Sequence, residues 1–159
     1  SEMCIRDRFS MMDGERVVVN SDAEVKLDSI VKNSVRGNPD VSAYASFDGE
    51  RVYVMAWNYH DDDLEGQAAS IHFKIENLSF KTGKANVSCY LIDKQHSNSY
   101  TKWLSMGSPQ NPNEQDYKQL EDAALLEQIK FSPAIPIKNN TIDFDFVLER
   151  QGVVMFVLQ

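Results

Sequence analysis

The sequence predicts a mainly β chain, an antiparallel β-sandwich of the immunoglobulin or fibronectin type, with a short helical insert around residues 97–127. Three observations carry this. Most apolar segments alternate with a two-residue period rather than the 3.6-residue period of a helix. Turn-forming residues, Asp48-Gly49 foremost, separate those segments at short intervals. One stretch, from His96 onward, carries the caps and stops of helices instead.

Taken in order, SEMCIRDR at the start resembles a translated sequencing adaptor that recurs at the ends of metagenomic reading frames. Residues Ser1 to Arg8 therefore read as a non-native leader, with the natural chain continuing upstream. Setting Cys4 aside leaves Cys89 alone on a strand, as a small buried hydrophobe rather than a reactive thiol. RVVVN at 16–20 is a short β-rich run. VSAYASF and RVYVMAWNY flank Asp48-Gly49, a dipeptide that tolerates the positive φ of a tight hairpin turn. ASIHFKIEN, ANVSCYLID, TIDFDFVLE and GVVMFVLQ complete a set of about seven strands at sandwich spacing.

The faces of these strands differ. Ile71, Phe73 and Ile75 alternate with His72, Lys74 and Glu76, and Ile142, Phe144, Phe146 and Leu148 alternate mostly with Asp143 and Asp145, so these strands have one wet face. Residues 52–57 are apolar on both sides, and 153–158 are apolar throughout. One sheet is expected to carry outer apolar surface that needs a cover, supplied in part by the insert. There Ser97 or Asn98 caps a helix through Met106, stopped by Gly107 and Pro109. A second helix starts near Asn111 or Asn113, with Pro112 at its first turn and an apolar stripe of Tyr117, Leu120, Ala124 and Leu125. KFSPAIPIKNN (130–140) reads as an extended, proline-stiffened connector.

The chain of 159 residues and 18.1 kDa is one domain's worth, able to bury roughly 70% of its unfolded surface without a staple. Its net charge of -8, spread along the chain, argues against nucleic acid and anionic membranes as partners. No run of about 18 apolar residues exists to span a bilayer. The leader lacks the apolar core of a signal peptide, but with the true start upstream the compartment stays open among cytoplasmic, periplasmic and secreted.

NYHDDD (58–63) groups a histidine with three carboxylates, yet adjacent side chains in an extended segment point to opposite sides. It reads as a polar strand end or turn, with a structural calcium site as the alternative. His96 reads as a loop hydrogen-bonding residue, since spacing identifies no orienting partner for a general base. Tyr100 and Trp103, three apart on the expected helix, share a face, as core or interface filler, with a sugar-stacking platform as the alternative. No phosphate-binding glycine loop, CxxC, GxSxG or HExxH is present, and no cofactor is called for.

GNPDVSAYASFDGERVYVMAWNYHDDD, HSNSYTKWLSMGSPQNP and LERQGVVMFVLQ resemble the C-terminal accessory region of glycoside hydrolase family 39, on its bacterial β-xylosidase branch. FSMMDGERVVV resembles the junction where the last barrel helix passes into the first sandwich strand, which makes residues 9–15 a remnant of that junction and 16–159 the sandwich. The resemblance implies a bacterial parent in which an N-terminal (β/α)8 barrel carries two catalytic glutamates and hydrolyses β-xylosides with retention. No glutamate from Glu15 to Glu149 lies in a matching motif, so this segment is expected to contribute no catalytic residue. Its expected partners are the missing barrel and a second subunit. Tyr59, His60, Asp61, His96, Asn98, Tyr100 and Trp103 are the candidates for that interface or for the rim of the parent's cleft. A carbohydrate-binding module and an accessory domain of an α-L-iduronidase-like parent are the alternatives.

Overall fold

A computed structural model describes residues 9–62, 64–80, 83–132 and 134–159. The expected leader and Asp63 of the acidic turn lie outside the described residues. The elements run β1 (Glu15–Val17), α1 (Leu27–Asn33), β2 (Asp40–Phe47), β3 (Val52–Tyr59), β4 (Ala69–Ile75), β5 (Lys84–Ile92), α2 (Ser99–Ser105), α3 (Glu114–Ala124), β6 (Glu127–Ile129), β7 (Ala134–Pro136), β8 (Ile142–Leu148) and β9 (Gly152–Leu158). All the pairings are antiparallel, and the fold is the expected sandwich. The larger sheet has seven strands in the order β1-β2-β3-β9-β5-β6 with β7 also on β5, and β4-β8 forms the second sheet.

The hairpin of β2 and β3 shows why Asp48-Gly49 is a good signal. Gly49 sits at φ +99, where a Cβ would be strained. Asp48 Oδ1 accepts the backbone N–H of Glu50 and Arg51 at 2.8 and 2.7 Å. Those two donors hold the Asp48 carboxyl below its ordinary range. Phe47 and Val52 are the last paired residues, and the Asp48 N–H donates to the Arg51 carbonyl at 3.2 Å, so the turn is tight as expected. Upstream, residues 9–11 are helical and Gly14 turns the chain into β1 at φ +82, with the Phe47 carbonyl oxygen 2.0 Å from where a Cβ would stand.

Between the sheets lies a core organised on Phe156, which is 0% exposed. Its ring meets those of Phe73, Phe131, Phe144 and Phe146 at centroid distances of 4.9 to 5.3 Å, mostly edge to face, the favourable quadrupole geometry. Phe73, Phe144 and Phe146 come from the alternating strands β4 and β8, whose other face is wet as expected. There His72 Nδ1 lies 2.9 Å from Asp145 Oδ1, and Nε2 lies 3.5 Å from Asp143 Oδ1. Cys89 and Ile142 are buried in the same core.

Several boundaries and one packing expectation change. The first strand ends at Val17, paired with Ala45, and Val18 is exposed: the chain leaves β2 there although that strand continues to Asp40. The 130–140 connector contributes β7, and β6 begins at Glu127 inside the expected insert; both are three-residue bridges onto β5, too short to show a period. Helix α1 was not expected: Leu27 and Val31 share a face but are both exposed, so no buried stripe marks it. The outward-facing Tyr53, Met55 and Met155 are already buried in this chain. Neither insert helix has a fully buried residue, and the two helices pack against each other.

Candidate functional site

The two candidate segments come together at one end of the larger sheet. Trp57, Val153 and Ile92 lie in one row across β3, β9 and β5. The 58–62 turn and the 93–98 loop therefore leave the sheet at the same end, separated by the start of β9. An ion pair between Lys94 and Glu65 at 3.8 Å spans part of the gap, and both groups are well exposed, so it adds little.

Each segment is tied into its own network. His60 is buried; its Nδ1 accepts the Asp62 N–H at 3.1 Å, which leaves Nε2 as the protonated nitrogen, 3.0 Å from the Gly37 carbonyl oxygen. With both ring nitrogens engaged, His60 serves neither as a base nor as a metal ligand. Asp61 accepts the Val35 N–H at 3.0 Å while its own N–H donates to the Val35 carbonyl. Arg150 Nη2 lies 2.7 Å from Asp62 Oδ1, and the Gln151 amide donates to the carbonyls of both His60 and Asp62. The turn is thus a knot joining the loop before β2, the end of β3 and the β8–β9 turn. Tyr59, half exposed at its edge, has its phenol pushed up by burial and by the neighbouring Asp61 charge.

In the second segment Asp93 does what spacing alone did not show. One carboxylate oxygen accepts the backbone N–H of Gln95 and His96 at 2.7 and 2.8 Å and lies 2.8 Å from His96 Nδ1. That orients the imidazole, but the same oxygen closes the loop. Ser97, at φ 52 and buried, donates to the Leu91 carbonyl at 2.8 Å and accepts the Glu127 N–H at 2.9 Å, binding β6 to the loop. Asn98 is the cap of α2: Oδ1 accepts the Thr101 N–H while Nδ2 donates to the Asp93 carbonyl. Asn113 and Asp116 form a reciprocal capping box on α3, with Pro112 one residue before the cap. Tyr100 and Trp103 stack at 5.8 Å and 26°, Tyr100 exposed and the Trp103 indole donating to the Pro109 carbonyl. A cavity of 460 Å³ lies between the 95–98 loop, α2 and α3.

Sequence reasoning missed Asp93, Arg150 and Gln151, and it offered Ser97 as a helix cap where the structure has Asn98 in that role and Ser97 tying β6 to the loop. Asp93 three residues before His96 is a readable loop signal. The other three act across 30 residues or more, where local spacing is silent.

Residues 4–138 match the family model described as glycosyl hydrolases family 39. The chain belongs to this family. The family 39 match begins inside the expected leader and ends before the closing LERQGVVMFVLQ motif. Among solved structures the chain resembles a monomeric β-xylosidase from Caulobacter crescentus, at 16% identity and a TM-score of 0.65, covering 96% of this chain and 29% of that one. A GH39 enzyme from Xanthomonas axonopodis pv. citri matches at 13% identity and a TM-score of 0.60, over 79% of this chain and 28% of that one. A bacterial orthologue of human α-L-iduronidase matches at 14% identity and a TM-score of 0.53, over 74% and 22%. A search of curated proteins finds no match. This family 39 chain thus spans less than a third of the solved chains it resembles, and the likeness shows the sandwich fold.

Proposed function

We propose that this chain is the non-catalytic C-terminal sandwich of a larger family 39 hydrolase that cleaves β-xylosides with retention, and that the sheet end bearing the 58–62 turn and the 93–112 segment braces its catalytic barrel. The observation that carries the reading is the extent of the match: a family match over residues 4–138 in a chain that spans 29% of a β-xylosidase. The carboxylates point the same way. A retaining hydrolase needs two carboxyl groups about 5–5.5 Å apart across a cleft, and all nine glutamates from Glu15 to Glu149 are exposed, scattered over turns, helix surfaces and strand ends.

Assay of an aryl β-xyloside tests the division of labour. The 159-residue chain is expected to give no turnover, and the polypeptide extended upstream in the same reading frame is expected to give it. Turnover by the 159 residues alone would sink the reading. For the brace, the isolated chain is expected to bind a hydrophobic dye or to self-associate through exposed side chains such as Leu27, Val31 and Leu125. A dye-negative monomer at high concentration removes that part. One observation favours a second reading, a sugar-binding surface: Tyr100, stacked on the half-buried Trp103, is exposed.

A further inference from the structure

The buried ring of His60 has more neighbours than its neutral form can use. Nε2 faces the Gly37 carbonyl oxygen at 3.0 Å and carries a hydrogen in either protonation state. Nδ1 lies 3.1 Å from the backbone nitrogen of Asp62, which donates to it, and also 3.1 Å from Asp62 Oδ1. The neutral ring satisfies the amide and turns its lone pair on the carboxylate. The imidazolium does the reverse: it donates from Nδ1 to Oδ1 and from Nε2 to the carbonyl.

The carboxylate is the partner left short. Arg150 Nη2 is 2.7 Å away, yet among the described residues Asp62 Oδ1 is buried and accepts no hydrogen bond, and Arg150 Nε is buried and donates none. The guanidinium is therefore close without being aligned. Packing fixes its place, since Arg150 lies against Gly66 where a Cβ would meet Nη1 and Cδ. A buried anionic oxygen that lacks a donor is costly. A proton on His60 Nδ1 supplies that donor at the separation already present.

We propose that the 58–62 turn is a proton-operated latch, in which His60 takes a proton from solvent at Nδ1 as the medium turns acid. The new N–H donates a charge-assisted hydrogen bond to Asp62 Oδ1. The bond from the Asp62 amide to Nδ1 breaks in the same step, because two N–H groups then face each other. Asp62 thus exchanges a backbone tie to the ring for a side-chain tie. Engagement of both nitrogens keeps His60 from a substrate but not from a solvent proton, since the Asp62 side chain beside it is 44% exposed.

The charges around the ring set the balance. On the turn itself, Asp61 and Asp62 favour the imidazolium. Arg36, from the loop before β2, opposes it, but is exposed and paired with Asp61 at 3.7 Å. Arg150, from the β8–β9 turn, opposes it across the same Asp62 oxygen, and Glu149 in that turn is exposed. Tyr59 stays uncharged, its phenol being pushed up by burial and by Asp61. The latch is a property of this chain and does not rest on a barrel preceding it; it makes the sheet end assigned to the brace responsive to pH.

Assigned nitrogen NMR of the 159-residue chain tests the latch, read from about pH 8 to about pH 5, the span in which histidines switch. The His60 Nδ1 signal should move reversibly from the unprotonated to the protonated position, while Nε2 stays protonated throughout. Over the same span the protection of the Asp62 amide should fall roughly tenfold. The Asp61 amide, bonded to the Val35 carbonyl, should keep its protection. Asp62→Asn retains an acceptor but loses the charge, and should lower the His60 midpoint by about one pH unit. An Nδ1 signal in the unmodified chain that does not move overturns the latch, as does an Asp62 amide whose protection is constant or a midpoint unchanged in Asp62→Asn.

Discussion

The indole Nε1 of Trp57 donates to Asp40 Oδ2 at 2.7 Å, while Asp40 Oδ1 accepts the Val25 N–H at 2.7 Å. One nearly buried carboxylate thus anchors the segment before α1 to the far end of the β2–β3 hairpin. Asp40→Ala leaves both donors without an acceptor and should cost about 2–4 kcal/mol, each lost partner being worth about 1–3 kcal/mol. Asp40→Asn, which retains one acceptor oxygen, should cost less. Denaturant unfolding followed by tryptophan fluorescence reads both, and equal stability of Asp40→Ala and the unmodified chain contradicts the role.

Ser97 should be as demanding for a different reason. Its hydroxyl satisfies one carbonyl and one amide that come from opposite sides of the insert. Ser97→Ala keeps a Cβ at positive φ and removes both bonds, so a loss of about 1–3 kcal/mol is expected. Hydrogen exchange should quicken at residues 127–129 before it does in β3 or β9. Uniform quickening across the larger sheet would show that Ser97 does not hold β6 locally.

A pH signature follows from His72. The hydrogen bond to Asp145 first, and then the charges of Asp145 and Asp143, raise its pKa above 6.5. A proton bound more tightly in the folded state adds stability that is fully present below pH 6.5 and lost as pH rises through the higher folded value. The pair is exposed, so the effect should be small and should shrink in salt. His72→Gln should flatten the fall in Tm over this window. An unchanged slope in the variant would assign the pH dependence to other groups.

Titration with xylo-oligosaccharides separates the brace from a sugar-binding surface. With Tyr100 and Trp103 acting as packing for a protein partner, the fluorescence of Trp103, read in a Trp57→Phe background, should not change on adding sugar. A saturable change that disappears in Tyr100→Ala would establish the stacking surface instead.

Much of this molecule was legible from local chemistry. The alternation of β4 and β8, the Asp48-Gly49 turn, the Asn98 cap and the Gly107 stop are each set by residues within a few positions of one another, so the strands with one wet face and the two-helix insert followed from the sequence alone. The family followed too, from stretches such as HSNSYTKWLSMGSPQNP. The tertiary structure alone decided which strands neighbour which, with β9 between β3 and β5, and that ordering brings the two candidate segments to one end of the sheet. It also decided the roles of Arg150, Gln151 and Ser97. These rest on hydrogen bonds and side-chain contacts between residues far apart in the chain, whose partners are chosen by packing and leave no periodic mark in the sequence.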